Sequence, residues 1–468
     1  MSDHGSASAD QTPIETVDAV VLGMGPGGED VAGRLATCGW SVVGIDAGLV
    51  GGECPYWGCV PSKMMLRAAH LLAEARRIPG MAGSATVVPD WAPVAARIRQ
   101  EATDDWDDTV AVERFTDKGG TFVRGRGRLV GADTVEVDTD DGTRRYRATR
   151  AVVVATGTVP AVPPIDGLAD TPYWTNHDAI ETETLPGSII VLGGGAIGAE
   201  LTQVFARFGV TVTLVEAADR LLPQEEPEAG ELLADVFTDE GVEVLTGVSA
   251  TRVEHDGGRF VVRLDDGNER SAERLLVATG RRVDLAGIGA GTVGVDERAR
   301  ALPVDEHLRV TDGVWAVGDV TGRGAFTHVA IHQAAIATAD MLGEPHRPFE
   351  DAAIPRVTFT DPEVASVGLS EAAARDAGID VAVGRAQVPS TARGWLHKAG
   401  NEGVIKLVAD RERDVLVGAT AAGPSGGEVL GLLALAVHAR TPLTELRSMI
   451  YAYPTFHRGI EDAIRELG

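Results

Sequence analysis

Twice in 468 residues, a short apolar strand enters a G-x-G-x-x-G turn, continues into a helical pattern, and is followed by a second strand closing on an acid. The first copy reads Val17-Asp-Ala-Val-Val-Leu22, then Gly23-Met-Gly25-Pro-Gly-Gly28, a helix to about Cys38, and Ser41 to Ile45 ending at Asp46. The second reads Ser188 to Leu192, then Gly193-Gly-Gly195-Ala-Ile-Gly198, a helix to about Phe208, and Val210 to Val215 ending at Glu216. Glycines at this spacing let the backbone approach a pyrophosphate at a helix N-terminus, and the terminal acid can accept from a ribose hydroxyl. One such turn is weak evidence, because glycine-rich turns also serve packing alone; two complete copies constrain the chain to an α/β protein with two dinucleotide folds. A carboxylate at Glu216 suits a free 2′-hydroxyl and repels a 2′-phosphate, and the single neighbouring Arg220 makes no phosphate pocket, so NADH is favoured over NADPH.

The rest of the chain arranges itself around these units. Val152 to Gly157 and Leu275 to Gly280 are apolar strands that both close on Ala-Thr-Gly, with Gly157 and Gly280 as candidate cofactor-binding residues. Pro160 and Pro163-Pro164 form a rigid crossing suited to a domain boundary. Val314 to Gly318 is a further strand, ending at Asp319. The stretch from about Leu66 to Ala102 reads as helical, and the acidic run Asp104 to Asp108 as a solvated helix face. From Ile354 the texture changes to alternating strands and helices without a dinucleotide turn. The expected organisation is a loose tail over residues 1–16, a discontinuous first dinucleotide-binding domain over 17–157 and 285–349, a second dinucleotide-binding domain over 158–284, and a separate C-terminal domain over 350–468.

Composition removes several classes of function. A formal charge of −27 repels phosphate, which argues against a nucleic-acid or anionic-membrane surface. Three cysteines in so long a chain are not a secreted disulfide framework. No apolar run reaches membrane-spanning length and Met1 to Thr16 has no apolar signal core, so a cytoplasmic location is expected. No metal-ligand set stands out.

The chemistry-bearing segment is Gly51-Gly-Glu-Cys54-Pro-Tyr-Trp-Gly-Cys59-Val-Pro-Ser-Lys63. A helix should begin near Pro61, placing Cys59 at a helix N-terminus, where the dipole favours thiolate; Lys63 adds a nearby positive charge. Two thiols so spaced across one turn can close a reducible disulfide. Gly-Gly-x-Cys-x4-Cys-x-Pro-Ser-Lys, two dinucleotide folds, the paired Ala-Thr-Gly strands and Gly318-Asp319 together resemble the class I pyridine nucleotide-disulfide oxidoreductases. The resemblance covers nearly the whole chain. It implies two Rossmann-like dinucleotide-binding domains plus a C-terminal α+β dimerisation domain, and hence a homodimer. It implies FAD in the first fold, with Asp46 on the adenosine ribose and Asp319 on the ribityl-pyrophosphate side, and NADH in the second, held at Glu216. It also implies that Cys59 lies against the isoalloxazine, that Cys54 faces substrate, and that Lys63 pairs with Glu200. The segment Phe359 to Val364 matches the family's dimer interface.

The sequence departs from this family at its C-terminal end. Disulfide reductases of the family carry a His-Pro pair followed closely by a glutamate, whereas here Tyr453 precedes Pro454 and Arg458 stands in the glutamate position. A tyrosine of ordinary pKa near 10 is a poor base at neutral pH. His457, four residues on, is a candidate substitute. Glu53, directly before Cys54, is a candidate base, a source of repulsion that raises the thiol pKa, or a solvated side chain. Mercuric reductases carry a C-terminal cysteine pair, and no cysteine follows Cys59 here. The leading expectation is NADH-dependent electron transfer through Cys54 and Cys59 to a small disulfide or dithiol. A quinone or metal-ion acceptor, or a low-turnover redox-sensing flavoprotein, are the alternatives.

Overall fold

Fully apolar runs at Ala19–Leu22 and Val152–Val154 can be satisfied only if both faces of the strand are covered, the signature of central parallel strands. The computed structural model, which describes residues 13–467, places them side by side, with Val20, Val21, Val152 and Val153 all fully buried. They belong to the first of two compact units, made of the described part of Met1–Tyr56 with Thr103–Val159 and Arg281–Asp351. Its sheet runs Arg309–Thr311, Val314–Ala316, Gly142–Val154, Ile14–Leu22, Val42–Asp46, Thr121–Arg124, and all but the first pairing are parallel. Arg126–Leu129 and Thr134–Thr139 extend it as an antiparallel flap on Gly142–Val154. The helix Pro26–Thr37 packs on the helix Thr327–Leu342 across one face. The first strand starts earlier than expected: Ile14, Glu15 and Thr16 pair with Arg145, Tyr146 and Arg147, so these three residues are sheet and not tail. The remainder of the expected tail, residues 1–12, lies outside the described residues.

The second unit comprises Trp57–Ala102, Pro160–Gly280 and Ala352 to the C-terminus. It holds a four-stranded parallel sheet in the order Glu243–Thr246, Thr211–Glu216, Ser188–Leu192, Arg274–Val277. A three-stranded antiparallel sheet, Ala250–Asp256 with Arg259–Leu264 and Glu269–Ala272, shares the core formed by Leu192, Phe260, Val262 and Leu275. A five-stranded antiparallel sheet follows Ile354, in the order Pro355–Thr358, Glu363–Gly368, Val415–Gly423, Val404–Asp410, Val381–Gln387. Its covered face buries Leu407, Leu430, Leu433 and Ile460, each side chain contributing about 1.5–3 kcal/mol by leaving water.

Two expectations need correction. The stretch 66–102 is helical only at its ends, as Cys59–Arg76 and Ala92–Ala102, because Pro79, Gly80, Gly83 and Pro89 break the pattern between them. The acidic run is solvated at Asp104, Asp105 and Asp107, as expected, but it is a short 3-10 turn and not the face of a longer helix. Asp104, Asp105 and Trp106 all take positive φ in a tight turn, and Asp108 is buried, accepting from the Val50 amide at 2.6 Å and from Arg124 at 2.5 Å. Among the described residues no helix is long and apolar enough to cross a membrane.

Candidate active site

Each dinucleotide turn is built the same way in the two units. The Gly25 and Gly195 residues cap the helices Pro26–Thr37 and Ala196–Arg207 in extended conformation, without a side-chain cap, and a Cβ at either would stand in open space. No neighbouring atom crowds the start of either helix at these glycines, and first-turn helix amides of this kind can hold a phosphate. The third glycines do the opposite job. A Cβ at Gly28 would overlap the Gly23 carbonyl oxygen, and one at Gly198 would overlap that of Gly193, so only glycine lets the helix seat this close to the strand.

The terminal acids brace these turns. Asp46 accepts from the Met24 and Gly48 amides at 2.6 and 2.7 Å, and Glu216 accepts from the Gly194 and Ala218 amides at 2.5 and 2.7 Å. Burial raises the Asp46 carboxyl above its ordinary range against the pull of those amides. The first turn has what FAD needs, namely a phosphate cradle with an acid beyond it, and the second has the same for a nicotinamide dinucleotide. Residues that could hold FAD are Gly23, Gly25, Gly28, Asp46, Gly157 and Asp319, and Gly193, Gly195, Gly198, Glu216 and Gly280 could hold the nicotinamide cofactor.

Within the first unit, Asp319 follows Gly318, whose amide donates to the fully buried Gln333 side chain at 2.7 Å. Burial raises the Asp319 carboxyl, opposed by the nearby Arg281 charge and a hydrogen bond from Thr158. Arg281 is a site residue that the sequence reading passed over. It donates to the Thr158 hydroxyl and carbonyl, both at 2.7 Å, and reaches the Glu53 carboxylate at 3.4 Å. Glu53 is thus an ion-paired neighbour of the half-buried Cys54, not a simply solvated side chain. The only signal for this was position, since Arg281 directly follows the second Ala-Thr-Gly.

Within the second unit, Cys59 is the first residue of the 18-residue helix Cys59–Arg76, capped by Gly58. Exposed there, its sulfur sits where the helix dipole favours negative charge. One turn on, the Lys63 ammonium lies 3.0 and 3.2 Å from the two Glu200 oxygens and 4.7 Å from the Phe359 ring centre. Glu200 also accepts from the Phe359 amide at 2.8 Å, so one buried carboxylate ties three remote stretches together. The Lys63–Glu200 pair expected from the sequence is present in this geometry. The chain passes from the first unit to the second between Tyr56 and Trp57, inside the Cys54-x4-Cys59 segment.

The bulky inter-cysteine residues have a partner that the sequence did not reveal. Thr175 and Asp178 form a capping box that starts the helix Asn176–Glu181. That helix presents His177 to stack flat on Trp57 at 4.3 Å, while Glu181 accepts from the Trp57 indole at 2.6 Å and Asn176 donates to the Trp57 carbonyl. At the C-terminal end, Tyr453 is 71% exposed. The Arg458 guanidinium lies over its ring at 5.6 Å and pairs with Glu461 at 3.0 Å. His457 sits 3.5 Å from the Thr455 hydroxyl. Burial pushes the neighbouring Tyr451 phenol up to about 12, which removes it as an acid or base near neutrality.

Behind Lys63, the Arg207 side chain is 1% exposed and pairs with Glu240 and Asp361 at 2.5 and 2.9 Å; Arg77 meets Asp361 at 2.8 Å. His70 lies in this network with a buried Nε2 that has no hydrogen-bond partner among the described residues. Burial, reinforced by the Arg207 charge, pushes its imidazole down to about 4. The folded state therefore binds fewer protons than the unfolded chain between pH 6.5 and 4, and stability falls as pH drops through that window. His70→Gln should shrink the loss by about 3 kcal/mol in chemical denaturation measured at pH 7 and pH 4. An identical pH dependence in the variant would overturn this reading.

Comparison with known proteins shows which family the chain resembles along its length. The family model described as pyridine nucleotide-disulphide oxidoreductase matches residues 17–334, and that of its dimerisation domain matches residues 354–464. The mercuric reductase of Acidithiobacillus ferrooxidans is 34% identical over 98% of this chain and 84% of its own. The dihydrolipoyl dehydrogenase of Mycobacterium leprae is 33% identical over 96% of this chain and 98% of its own. Among solved structures, the Cu(II) complex of the HOCl-induced flavoprotein disulfide reductase RclA from Escherichia coli has a TM-score of 0.84 at 26% identity, covering 97% of this chain and 99% of that one. LpdA from Mycobacterium tuberculosis also has a TM-score of 0.84, at 27% identity over 97% and 100%.

Proposed function

Because the chain belongs to the pyridine nucleotide-disulphide oxidoreductase family, whose members use FAD and NAD(P)H, we propose that it passes electrons from NADH through the Cys54–Cys59 pair to a small disulfide. The observation that carries this reading is Cys59 at the head of the Cys59–Arg76 helix, one turn before a Lys63 held by Glu200. Bound FAD supplies the two-electron transfer between nicotinamide and thiols. Cys54 acts as the exchanging thiol: its thiolate attacks one sulfur of the substrate, that S–S bond breaks, and the first substrate thiolate leaves. Cys59 then attacks the Cys54 sulfur, releasing the second thiolate and restoring the protein disulfide. Both departing thiolates take protons from water or from Tyr453 and His457, since Arg458 has replaced the usual glutamate. Glu216 sets the preference for NADH, its carboxylate repelling a 2′-phosphate. The domain limits expected from the sequence, and the dimer that the C-terminal domain brings, are part of the same proposal.

One equivalent of NADH added anaerobically to the air-oxidised holoenzyme should make Cys54 and Cys59 alkylatable together, read by peptide mapping. Reduction of the enzyme with both cysteines still protected would overturn the proposal. A second reading, a metal ion as final acceptor, is favoured by the lack of the family's His-Glu pair, whose positions hold Tyr453 and an Arg458 ion-paired to Glu461. A metal acceptor needs no protonated leaving thiolate, so its turnover should lack the pH dependence that a disulfide acceptor shows.

A further inference from the structure

Three side chains from separate parts of the first unit converge where neither nucleotide nor cysteine is expected. His307 lies just before the strand Arg309–Thr311, Asp340 in the last turn of the helix Thr327–Leu342, and His346 in the segment that follows it. The His307 Nδ1 and His346 Nε2 atoms are 2.9 Å apart, and His346 Nε2 is 3.8 Å from an Asp340 oxygen. All three ligand atoms fall within 4.8 Å of one another, and the His346 and Asp340 side chains are 15% and 7% exposed. A tetrahedral ion with bonds of 2.0–2.1 Å separates its ligand atoms by about 3.3 Å, a value that the observed 2.9 and 3.8 Å bracket.

The surroundings fix these groups as a metal site does. His346 Nδ1 is 3.0 Å from the Glu344 carbonyl, which can only accept, so Nδ1 carries the proton and Nε2 presents a lone pair to the cluster. Asp340 is clamped from behind by Arg309, at 2.6 and 2.7 Å, and by the Trp315 indole at 2.8 Å. A backbone carbonyl on the far imidazole nitrogen and donors on the carboxylate are the outer contacts that orient metal ligands. The His307 amide, in turn, is fixed to Asp305 at 2.8 Å.

We propose that His307 Nδ1, His346 Nε2 and an Asp340 oxygen bind one divalent late first-row transition ion, separately from the redox cysteines. Two imidazoles and one carboxylate suit such an ion, and a three-residue set leaves a coordination position for water. The site would cross-link the loop before Arg309, the end of the Thr327–Leu342 helix and the chain leading out of the unit. It owes nothing to the proposed electron path and stands or falls apart from it.

The test uses Zn2+ alone, with FAD-loaded protein in which all three cysteines are serine, so that no thiol competes. Equilibrium dialysis should find one Zn2+ per chain, and His307→Ala or His346→Ala should weaken it by ~100-fold or more, beyond the 10–100-fold typical of losing an outer contact. His307→Gln and His346→Gln serve in place of any alanine variant that fails to retain FAD. With Cu2+ as probe, electron paramagnetic resonance should show imidazole nitrogen couplings that disappear in His346→Gln. No Zn2+ bound in the cysteine-free protein, or binding undiminished by both histidine substitutions, would overturn the proposal and leave the pair as a hydrogen bond between two imidazoles.

Discussion

Gly28→Ala should yield a protein that no longer retains FAD. The added methyl has nowhere to go, because the Gly23 carbonyl oxygen occupies its position and the Ala155 Cβ closes the other side at 3.0 Å. Relief requires the Pro26–Thr37 helix to back away from the strand Ile14–Leu22, which moves the first helical amides off the phosphate position. Overpacking of this kind costs about 3 kcal/mol. Spent against cofactor binding, that is a loss of at least ~100-fold in FAD affinity. Flavin content after dialysis measures it, with Gly48→Ala as the control, since a Cβ there would meet only an Asp46 oxygen at an ordinary 3.6 Å. Full flavin content in Gly28→Ala would refute the steric argument.

Cys54→Ser should separate the two halves of the proposed reaction. Serine keeps the volume but offers no sulfur to exchange, so disulfide turnover should fall by ~10³-fold or more, a barrier increase of about 4 kcal/mol. Reduction of the enzyme by NADH should persist, because Glu216, the Gly193 to Gly198 turn and the Lys63–Glu200 pair are untouched. Stopped-flow reduction and steady-state turnover on the same preparation make the comparison. Turnover that survives the substitution would remove Cys54 from the electron path.

Legibility in the sequence follows the range of the interaction. Both dinucleotide turns could be read because their logic is local: a strand, a helix and an acid within about thirty residues, with glycines forced by backbone contact. The helix beginning at Cys59 was legible for the same reason. Side chains that meet across the fold were not. Nothing near Trp57 announces His177 and Glu181, more than a hundred residues away, and nothing in the spacing of His307, Asp340 and His346 matches a ligand pattern. Within the Asp104 to Asp108 run, whose other acids are exposed, Asp108 misled for a related reason. Charge suggested a wet surface, but a partner sixteen residues on, Arg124, and the Val50 amide make burial of Asp108 affordable. Irregular structure over 77–91 was missed because scattered apolar residues in a proline- and glycine-broken stretch mimic helical spacing.

Asp46 and Glu216 each grip one amide of the glycine turn before them, Met24 or Gly194, and one two residues beyond themselves, Gly48 or Ala218. A loop held this way keeps its shape from within, through hydrogen bonds that belong to folding and not to ligand capture. The entropy of ordering it is then charged when the chain folds, and an arriving dinucleotide meets a mould already set. Affinity in such a mould is governed by departure more than by arrival. Loosening the bracing acid should shorten the residence of the cofactor well before it blurs which cofactor is chosen.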